Sequence, residues 1–255
     1  MEKASLVLQG ESILFEENHK MARPTVAISV DCASALEGRC YVPELVKVAE
    51  EFTIPLTWLL NVQEHDPMTN VKLYHNEYLH RIPSWHEIGL HLSFDTGRGN
   101  TVDRGDLIRV GKDILKQFSI KPTAFRAGNG DLEPGDLAAL EDIGIVVDAT
   151  PGSSSARPSD APSAPYHPDY DHIHHSGTAK IWVAPIAHQN GVRGYLDEGF
   201  EKVQTVIDSQ LSIGDYVGLG LSDSISTAET LQKTLSYLKG KGARFVSLTQ
   251  LVSEL

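Results

Sequence analysis

The chain has 255 residues, a net charge of −12 and 41% hydrophobic residues, an ordinary composition for a soluble protein of one or two domains. The negative charge argues against nucleic acid as a partner, because phosphate binding relies on basic patches. No segment reaches the roughly 18 apolar residues of a membrane span, and residues 1–20 do not resemble a signal peptide. Cys32 and Cys40 form neither a disulfide framework nor a zinc motif, so we expect reduced thiols and a cytoplasmic location.

The predicted elements alternate between strands and helices along the chain. Two short apolar runs in residues 1–20 predict a hairpin, so residues 1–22 are an N-terminal extension and residues 23–255 the main domain. Strands are predicted at 25–30, 55–60, 87–90, 123–125, 145–147, 181–187, 216–221 and 244–246. The first two are apolar runs of the buried type, whereas 181–187 shows alternation. Helices are predicted from helical apolar spacing at 42–52, 71–82, 103–118, 134–143, 198–210, 227–238 and 248–255.

This alternation predicts parallel βαβ units, either closed as a (β/α) barrel or open and doubly wound. In both architectures functional residues gather at the carboxyl ends of the strands. Residues 149–180 differ, since they are rich in Ser, Pro and then His and have no usable periodicity. Loops of this length are usually functional, so we expect this one to border the mouth of the site and to shape a substrate pocket.

Polar residues end or follow one predicted strand after another. They are Asp31, His91 with Asp95, Arg126, Asp148, His188, and Ser222 with Asp223. A single polar strand end means little, because loops are polar, but several at one edge of a sheet make a site hypothesis. His91 and Asp95 are four residues apart and would offer a nitrogen and an oxygen to a divalent cation such as zinc. His188 follows a strand of the barrel type, so we expect it to face the same mouth as His91.

Several segments, in their order and spacing, resemble the motifs of a known family. His86-Glu87-Ile88-Gly89-Leu90-His91 resembles the motif HEIGxH, which is the most specific of them. The strand ending in Asp31, the segment 125–129 around Arg126, and the segments ending in Asp148 and Ser222 stand in the places of the others. The family is that of the polysaccharide deacetylases, with the NodB homology domain. The resemblance covers roughly residues 23–250 and implies a single-domain distorted (β/α) barrel that removes N-acetyl groups from amino sugars, usually with one divalent metal.

The resemblance also assigns roles to individual residues. Asp31 would be the catalytic base, Arg126 its partner, and His91 a metal ligand. A metal lowers the pKa of bound water and polarises the carbonyl, while a carboxylate takes the water's proton and an imidazole protonates the amine. His188 is the candidate to compensate for a missing catalytic histidine. The residues expected to contact the saccharide are Asn129, Asp148, Ser222 and Asp223.

Five positions depart from the family pattern. Cys32 stands in place of an aspartate, Asp95 in place of the second metal-binding histidine, and Ser222 in place of the proton-donating histidine. Gly128 and Asn129 replace a Pro-Tyr pair. Cys32 could ligate a soft metal as a thiolate, although an isolated cysteine after a strand is more often buried. Two sure ligands hold a cation weakly, so we predict a divalent metal, zinc or similar, that is weakly held or absent.

Three functions remain open. The favoured one is removal of an N-acetyl group from an amino-sugar-containing saccharide in polysaccharide or O-antigen biosynthesis. The second is a metal-independent C–N hydrolase that acts on a small amide. The third is a carbohydrate-binding homologue without catalysis. Chelators would distinguish the first from the second, and binding without turnover would identify the third.

Overall fold

The computed structural model describes residues 23–33, 40–62, 74–94, 103–128, 132–150, 161–223 and 226–255. The strands are β1 (Thr25–Cys32), β2 (Thr57–Asn61), β3 (Glu87–Leu92), β4 (Ala124–Ala127), β5 (Val147–Asp148), β6 (Trp182–Val183), β7 (His188–Gln189), β8 (Val192–Arg193), β9 (Tyr216–Ser222) and β10 (Arg244–Val246). The α-helices are α1 (Val42–Phe52), α2 (Arg104–Gln117), α3 (Pro134–Ile143), α4 (Phe200–Leu211), α5 (Ala228–Gly240) and α6 (Leu248–Ser253). A π-helical turn spans His75–Leu79 and a 3-10 turn spans Leu196–Glu198. The predicted hairpin at 1–22 lies outside the described residues.

One parallel sheet of eight strands forms the centre of the molecule, in the order β10-β1-β2-β3-β4-β5-β6, with β9 also paired to β1. β9 runs along β1 from Thr25 to Asp31, whereas β10 pairs with the first three residues of β1 and β2 with the last four. A strand has only two edges, so β2 and β10 share the second edge of β1. The sheet curls into a partial barrel with helices along its outside, which confirms the predicted distorted (β/α) barrel.

The alternation of side chains along each strand separates two apolar layers. Outward-facing residues of β1, such as Ile28 and Val30, pack in the larger cluster together with residues of the surrounding helices. The smaller, inner cluster includes Ala27, Leu59, Ala124, Val147 and Ala184. Helix α6 closes the amino-terminal end of the barrel, because it adds Leu248 to the inner cluster.

Strand β3 carries a column of residues that runs through the barrel from bottom to top. Glu87, at the bottom, accepts a hydrogen bond of 2.7 Å from the hydroxyl of Thr57. Gly89 lies in the middle, where a Cβ would stand 2.6 Å from the carbonyl oxygen of Ala124. His91 lies at the top, so the HEIG segment positions a polar side chain at the carboxyl end of the sheet.

His86, which precedes β3, is a structural residue. Its Nδ1 accepts a hydrogen bond of 2.9 Å from the backbone N–H of Leu56, and its ring stacks on that of Trp85. Burial lowers the pKa of His86 to about 4, so the imidazole is neutral at neutral pH.

The predicted and observed elements differ most between residues 181 and 198. Only β6 forms within the predicted strand 181–187, and β7 and β8 then make an antiparallel hairpin outside the main sheet. Asn190 and Gly191 join them, with φ values of 49° and 79°, as a type I′ turn requires. His188 therefore belongs to this hairpin and does not follow a strand of the barrel. In the described part of the chain no helix is long and apolar enough to cross a membrane.

Candidate active site

Three strands bring Asp31, His91 and Arg126 together at the carboxyl end of the barrel. His91 and Arg126 are register partners on β3 and β4. Arg126 Nη1 donates a hydrogen bond of 2.5 Å to Asp31 Oδ1, and His91 Nδ1 lies 3.7 Å from the same oxygen. The convergence follows from the parallel sheet, because the carboxyl ends of its strands share one edge.

Arg126 is held in place on all sides. Its side chain is 1% exposed, its Nε donates to the carbonyl of Ala149 at 2.8 Å, and its Nη2 donates to Ser29 Oγ at 2.5 Å. Burial alone would raise the pKa of Asp31, but the charge of Arg126, with a contribution from His91, holds it well below its ordinary range. Asp31 is therefore a carboxylate at every physiological pH.

Tyr195 holds the second oxygen of the same carboxylate. Its hydroxyl donates to Asp31 Oδ2 at 3.0 Å. The backbone of Tyr195 bridges to Gly220 on β9, and a Cβ on Gly220 would stand 2.8 Å from the tyrosine ring. Burial raises the pKa of Tyr195 above its ordinary range, so the hydroxyl stays protonated and acts as a donor. The absence of a side chain at Gly220 thus allows Tyr195 to reach Asp31.

Ser222 and Asp197 lie beside this cluster. Ser222 is the register partner of Asp31 across the β1–β9 pair. Both carboxylate oxygens of Asp197 accept from the backbone N–H of Ser222, at 3.3 and 3.2 Å. Burial raises the pKa of Asp197, and the negative charge of Asp31 adds to the increase. Asp197 was not among the residues that the sequence singled out.

Asp223 points away from the mouth, contrary to the prediction that it contacts substrate. It is fully buried, and its Oδ2 accepts from the hydroxyl of Tyr78 at 2.5 Å while its Oδ1 accepts from the backbone N–H of Ala33 at 3.2 Å. Burial raises its pKa to about 7. Because successive side chains of a strand face opposite ways, Asp223 lies behind the sheet when Ser222 faces the mouth.

Asp148 is also buried, at the end of β5. Its Oδ1 accepts from the hydroxyl of Thr150 at 2.6 Å, and burial raises its pKa to about 7. Together with Tyr166 and His174 these residues line a cavity of about 20 Å³, which is room for about one water. The described part of the long loop, 161–180, therefore lies against the carboxyl end of β5.

Of the remaining predicted site residues, one lies in the hairpin and two lie outside the described residues. His188 is exposed in the β7–β8 hairpin. Asp95 and Asn129 lie outside the described residues, so their assigned roles stay predictions.

The described residues do not fit a tightly bound catalytic metal. Catalytic zinc usually has three protein ligands, and the part of the chain that the structure describes contains no group of three or more His, Cys, Asp or Glu that could hold an ion. Cys32 packs in the outer cluster, on the face of β1 opposite to Asp31, so its thiol does not point toward an ion beside Asp31; burial also raises the pKa of this thiol well above the ordinary value. His91 Nδ1 is buried without a hydrogen-bond partner and faces Asp31, so two donors are present.

Some site residues could have been found by closer reading of the sequence. Ser29 precedes Asp31 by two positions, so it faces the same side of β1. The glycines at 218 and 220 within β9 indicate a close approach by another segment. The Asn-Gly pair at 190–191 predicts a hairpin, which would have suggested that the residues after it return to the sheet. No local pattern identifies Tyr195 or Asp197 themselves.

Comparisons with known proteins agree with this fold. No family profile and no curated protein matches the sequence. A protein from Mycobacterium smegmatis described as a polysaccharide deacetylase is similar in structure, with 15% identity and a TM-score of 0.64 over 91% of this chain and 93% of that one. The Bc1960 peptidoglycan N-acetylglucosamine deacetylase has 15% identity and a TM-score of 0.58 over 91% and 89%. BA3943, a CE4 family pseudoenzyme from Bacillus anthracis, has 14% identity and a TM-score of 0.56 over 91% and 66%.

Identities this low carry information about architecture and not about activity. The two deacetylase structures nevertheless extend over nearly the whole of this chain and of their own chains. The resemblance noted in the sequence is thereby confirmed at the level of the fold: this chain has the fold of the polysaccharide deacetylases.

Proposed function

We propose that the chain hydrolyses the N-acetyl amide of an amino sugar within a saccharide. The observation that carries the proposal is the position of Asp31, a carboxylate at the end of a barrel strand that lies 2.5 Å from the guanidinium of Arg126. Its side chain is 15% exposed, while its charge is paired with that of the buried Arg126. A carboxylate that is both fixed and open to the mouth suits a general base.

The chain's own residues support the first part of such a reaction. Asp31 Oδ2 accepts one hydrogen bond, from Tyr195, and a carboxylate oxygen can accept another from a water molecule at the mouth. Asp31 takes a proton from that water while the water oxygen attacks the carbonyl carbon of the N-acetyl group. Arg126 and Tyr195 keep the carboxylate in one orientation, so little reorganisation accompanies the transfer.

Two versions of this function differ in their use of a metal. Hydrolysis without a metal would use Asp31 as the base with its carboxylate held by Arg126 and Tyr195. Hydrolysis assisted by a weakly held divalent cation needs a further ligand, and the sequence proposes Asp95 for it. A role in carbohydrate binding without catalysis is favoured by Ser222, which replaces the family's proton-donating histidine.

The proposed partner is a saccharide that contains an amino sugar. The net charge of −12 opposes binding of polyanions, including nucleic acids. Cys32 and Cys40 are free cysteines, which suits the reducing cytoplasm and a step in polysaccharide or O-antigen biosynthesis.

Acetate release from N-acetylglucosamine oligomers tests the proposal. We expect release by the wild type and a loss of about 100-fold or more in Asp31→Asn, as for removal of a general base. Asp208→Asn is the matched control, because Asp208 pairs with Lys241 at the surface. If the wild type releases no acetate, with or without added zinc, hydrolysis is rejected, and oligomer binding without turnover would favour the binding role.

The same assay in protein shown by elemental analysis to be metal-free separates the two hydrolytic versions. Undiminished activity after dialysis against a chelator selects the metal-independent reaction. Loss that is restored by a divalent cation selects the metal-assisted reaction.

A further inference from the structure

We propose that Asp197 is the catalytic acid, which protonates the departing amine in place of the imidazole that Ser222 lacks. This inference rests on the hydrolytic function proposed above. It answers a specific difficulty, since the serine hydroxyl at 222 is too weak an acid to protonate an amine leaving group near neutral pH.

Tyr195 and the 3-10 turn that follows it place Asp197 at the carboxyl end of β9. Tyr195 pairs with β9 at Gly220, and the 3-10 turn Leu196–Glu198 follows directly. This turn sets the Asp197 carboxylate against the end of β9, within 3.3 Å of the Ser222 backbone nitrogen. Because Ser222 is the register partner of Asp31, the Asp31 and Asp197 carboxylates stand at adjacent strand ends.

The surroundings of the two carboxylates push their proton affinities in opposite directions. Arg126 keeps Asp31 ionised, whereas burial of the carboxyl group and the charge of Asp31 raise the pKa of Asp197 to about 6. Two neighbouring carboxyl groups whose pKa values are driven apart form the usual pattern of a base and an acid. Asp197 as a residue remains exposed, so substrate and solvent protons can reach it.

Other charged groups also lie near this turn, among them Arg193 of β8, which stands 5.7 Å over the ring of Tyr195. Glu198 raises the pKa of Asp197 slightly, but it forms an ion pair with Lys202 of α4 at 2.9 Å. On α5, Glu229 pairs with Lys233 at 2.7 Å. Asp31 is the main charge that raises the pKa of Asp197.

The C–N bond of the tetrahedral intermediate breaks, and its electron pair goes to nitrogen as the carbonyl re-forms. Nitrogen takes the proton from the Asp197 carboxyl, so Asp197 becomes a carboxylate and the free amine departs. The proton that Asp31 took from water can then return to solvent or to Asp197 for the next cycle.

A structural role for Asp197 is the competing explanation, since it also accepts a hydrogen bond from the Ser222 backbone. Asp197→Asn separates the two, because an asparagine keeps an acceptor oxygen for Ser222 but has no acidic proton. Two probes are compared: an N-acetylglucosamine oligomer, whose amine must be protonated, and 4-nitrophenyl acetate, whose leaving group departs without a proton.

We expect Asp197→Asn to lower kcat/KM on the amide by about 100-fold and on the ester by less than about threefold. The fall in wild-type amide activity as pH rises through about 6, the pKa of Asp197, should be absent from the variant's residual activity. Asp197→Glu, which keeps an acid, should retain part of the amide activity. Glu198→Gln is the neighbouring control and should leave both activities unchanged.

Other outcomes would overturn the inference. An equal loss on both probes, or full amide activity in Asp197→Asn, assigns Asp197 a structural role while the hydrolytic function stands. A wild type that does not cleave the amide overturns the hydrolytic function and the inference together.

Discussion

Replacement of Arg126 by methionine tests whether the buried ion pair organises the site. Arg126 is 1% exposed and Asp31 15% exposed, so the variant leaves a largely buried carboxylate without its cation. Removal of one partner of a buried pair costs about 3–5 kcal/mol. For a protein of this size that corresponds to a fall in Tm of roughly 6–20 °C, at ~2–4 °C per kcal/mol. Arg244→Met is the matched control, because its pair with Glu254 is exposed and is worth about 1 kcal/mol or less.

The difference in stability between the wild type and Arg126→Met should depend on pH. In the wild type the folded-state pKa of Asp31 lies below its ordinary 3.8, so the carboxylate's contribution is complete above that pH and is lost as pH falls through the folded-state pKa. In Arg126→Met the contribution of the arginine is lost and His91 alone still opposes the effect of burial, so the pKa of Asp31 rises. The ionised carboxylate is then destabilising at pH 7, and the penalty fades as the carboxylate is protonated. The difference between the two proteins should therefore shrink from pH 7 to pH 3.

Urea unfolding at several pH values measures these differences, and Asp31→Asn combined with Arg126→Met completes a double-mutant cycle. We expect the double variant to recover much of the stability that Arg126→Met loses. The reasoning is refuted if Arg126→Met costs no more than Arg244→Met, or if its cost is the same with Asp31 and with asparagine at that position.

Two further predictions concern the supports of the site. Gly220→Ala places a methyl group about 2.8 Å from the Tyr195 ring, so we expect a loss of about 1–3 kcal/mol in thermal unfolding and reduced acetate release, whereas Gly240→Ala, with no atom within 4 Å, should be tolerated. His86→Asn keeps an acceptor for the Leu56 N–H but cannot titrate. Since the folded-state pKa of His86 is about 4 against an ordinary 6.5, wild-type stability should fall by about 2–3 kcal/mol as pH falls between these values, and the variant should lose this dependence. A pH profile that is unchanged in His86→Asn would assign the dependence to other groups.

The sequence predicted the features of the fold that depend on neighbouring residues or on the parallel arrangement of the strands. Apolar runs and helical spacing depend on neighbouring residues, so the order of strands and helices was predictable. Parallel strands bring their carboxyl ends to one edge, which is why Asp31, His91 and Arg126 could be expected together.

What the sequence did not predict depends on packing between distant segments. Tyr195 reaches Asp31 only because Gly220, 25 positions later, has no side chain in the way. Asp197 is positioned by that same contact. The error over Asp223 came from treating neighbouring polar residues as equivalent, although adjacent side chains at a strand end face opposite sides.

The column on β3 has a consequence for how such proteins are recognised. This column limits the diameter of the barrel. Glu87 is hydrogen-bonded to Thr57 at the lower end, and in the middle Gly89 leaves no space for a Cβ beside Ala124. A wider barrel would move the carboxyl ends of the strands apart even if the side chains at those ends stayed the same. The HEIG segment therefore reports on the diameter of the barrel and can persist in chains whose catalytic groups have changed.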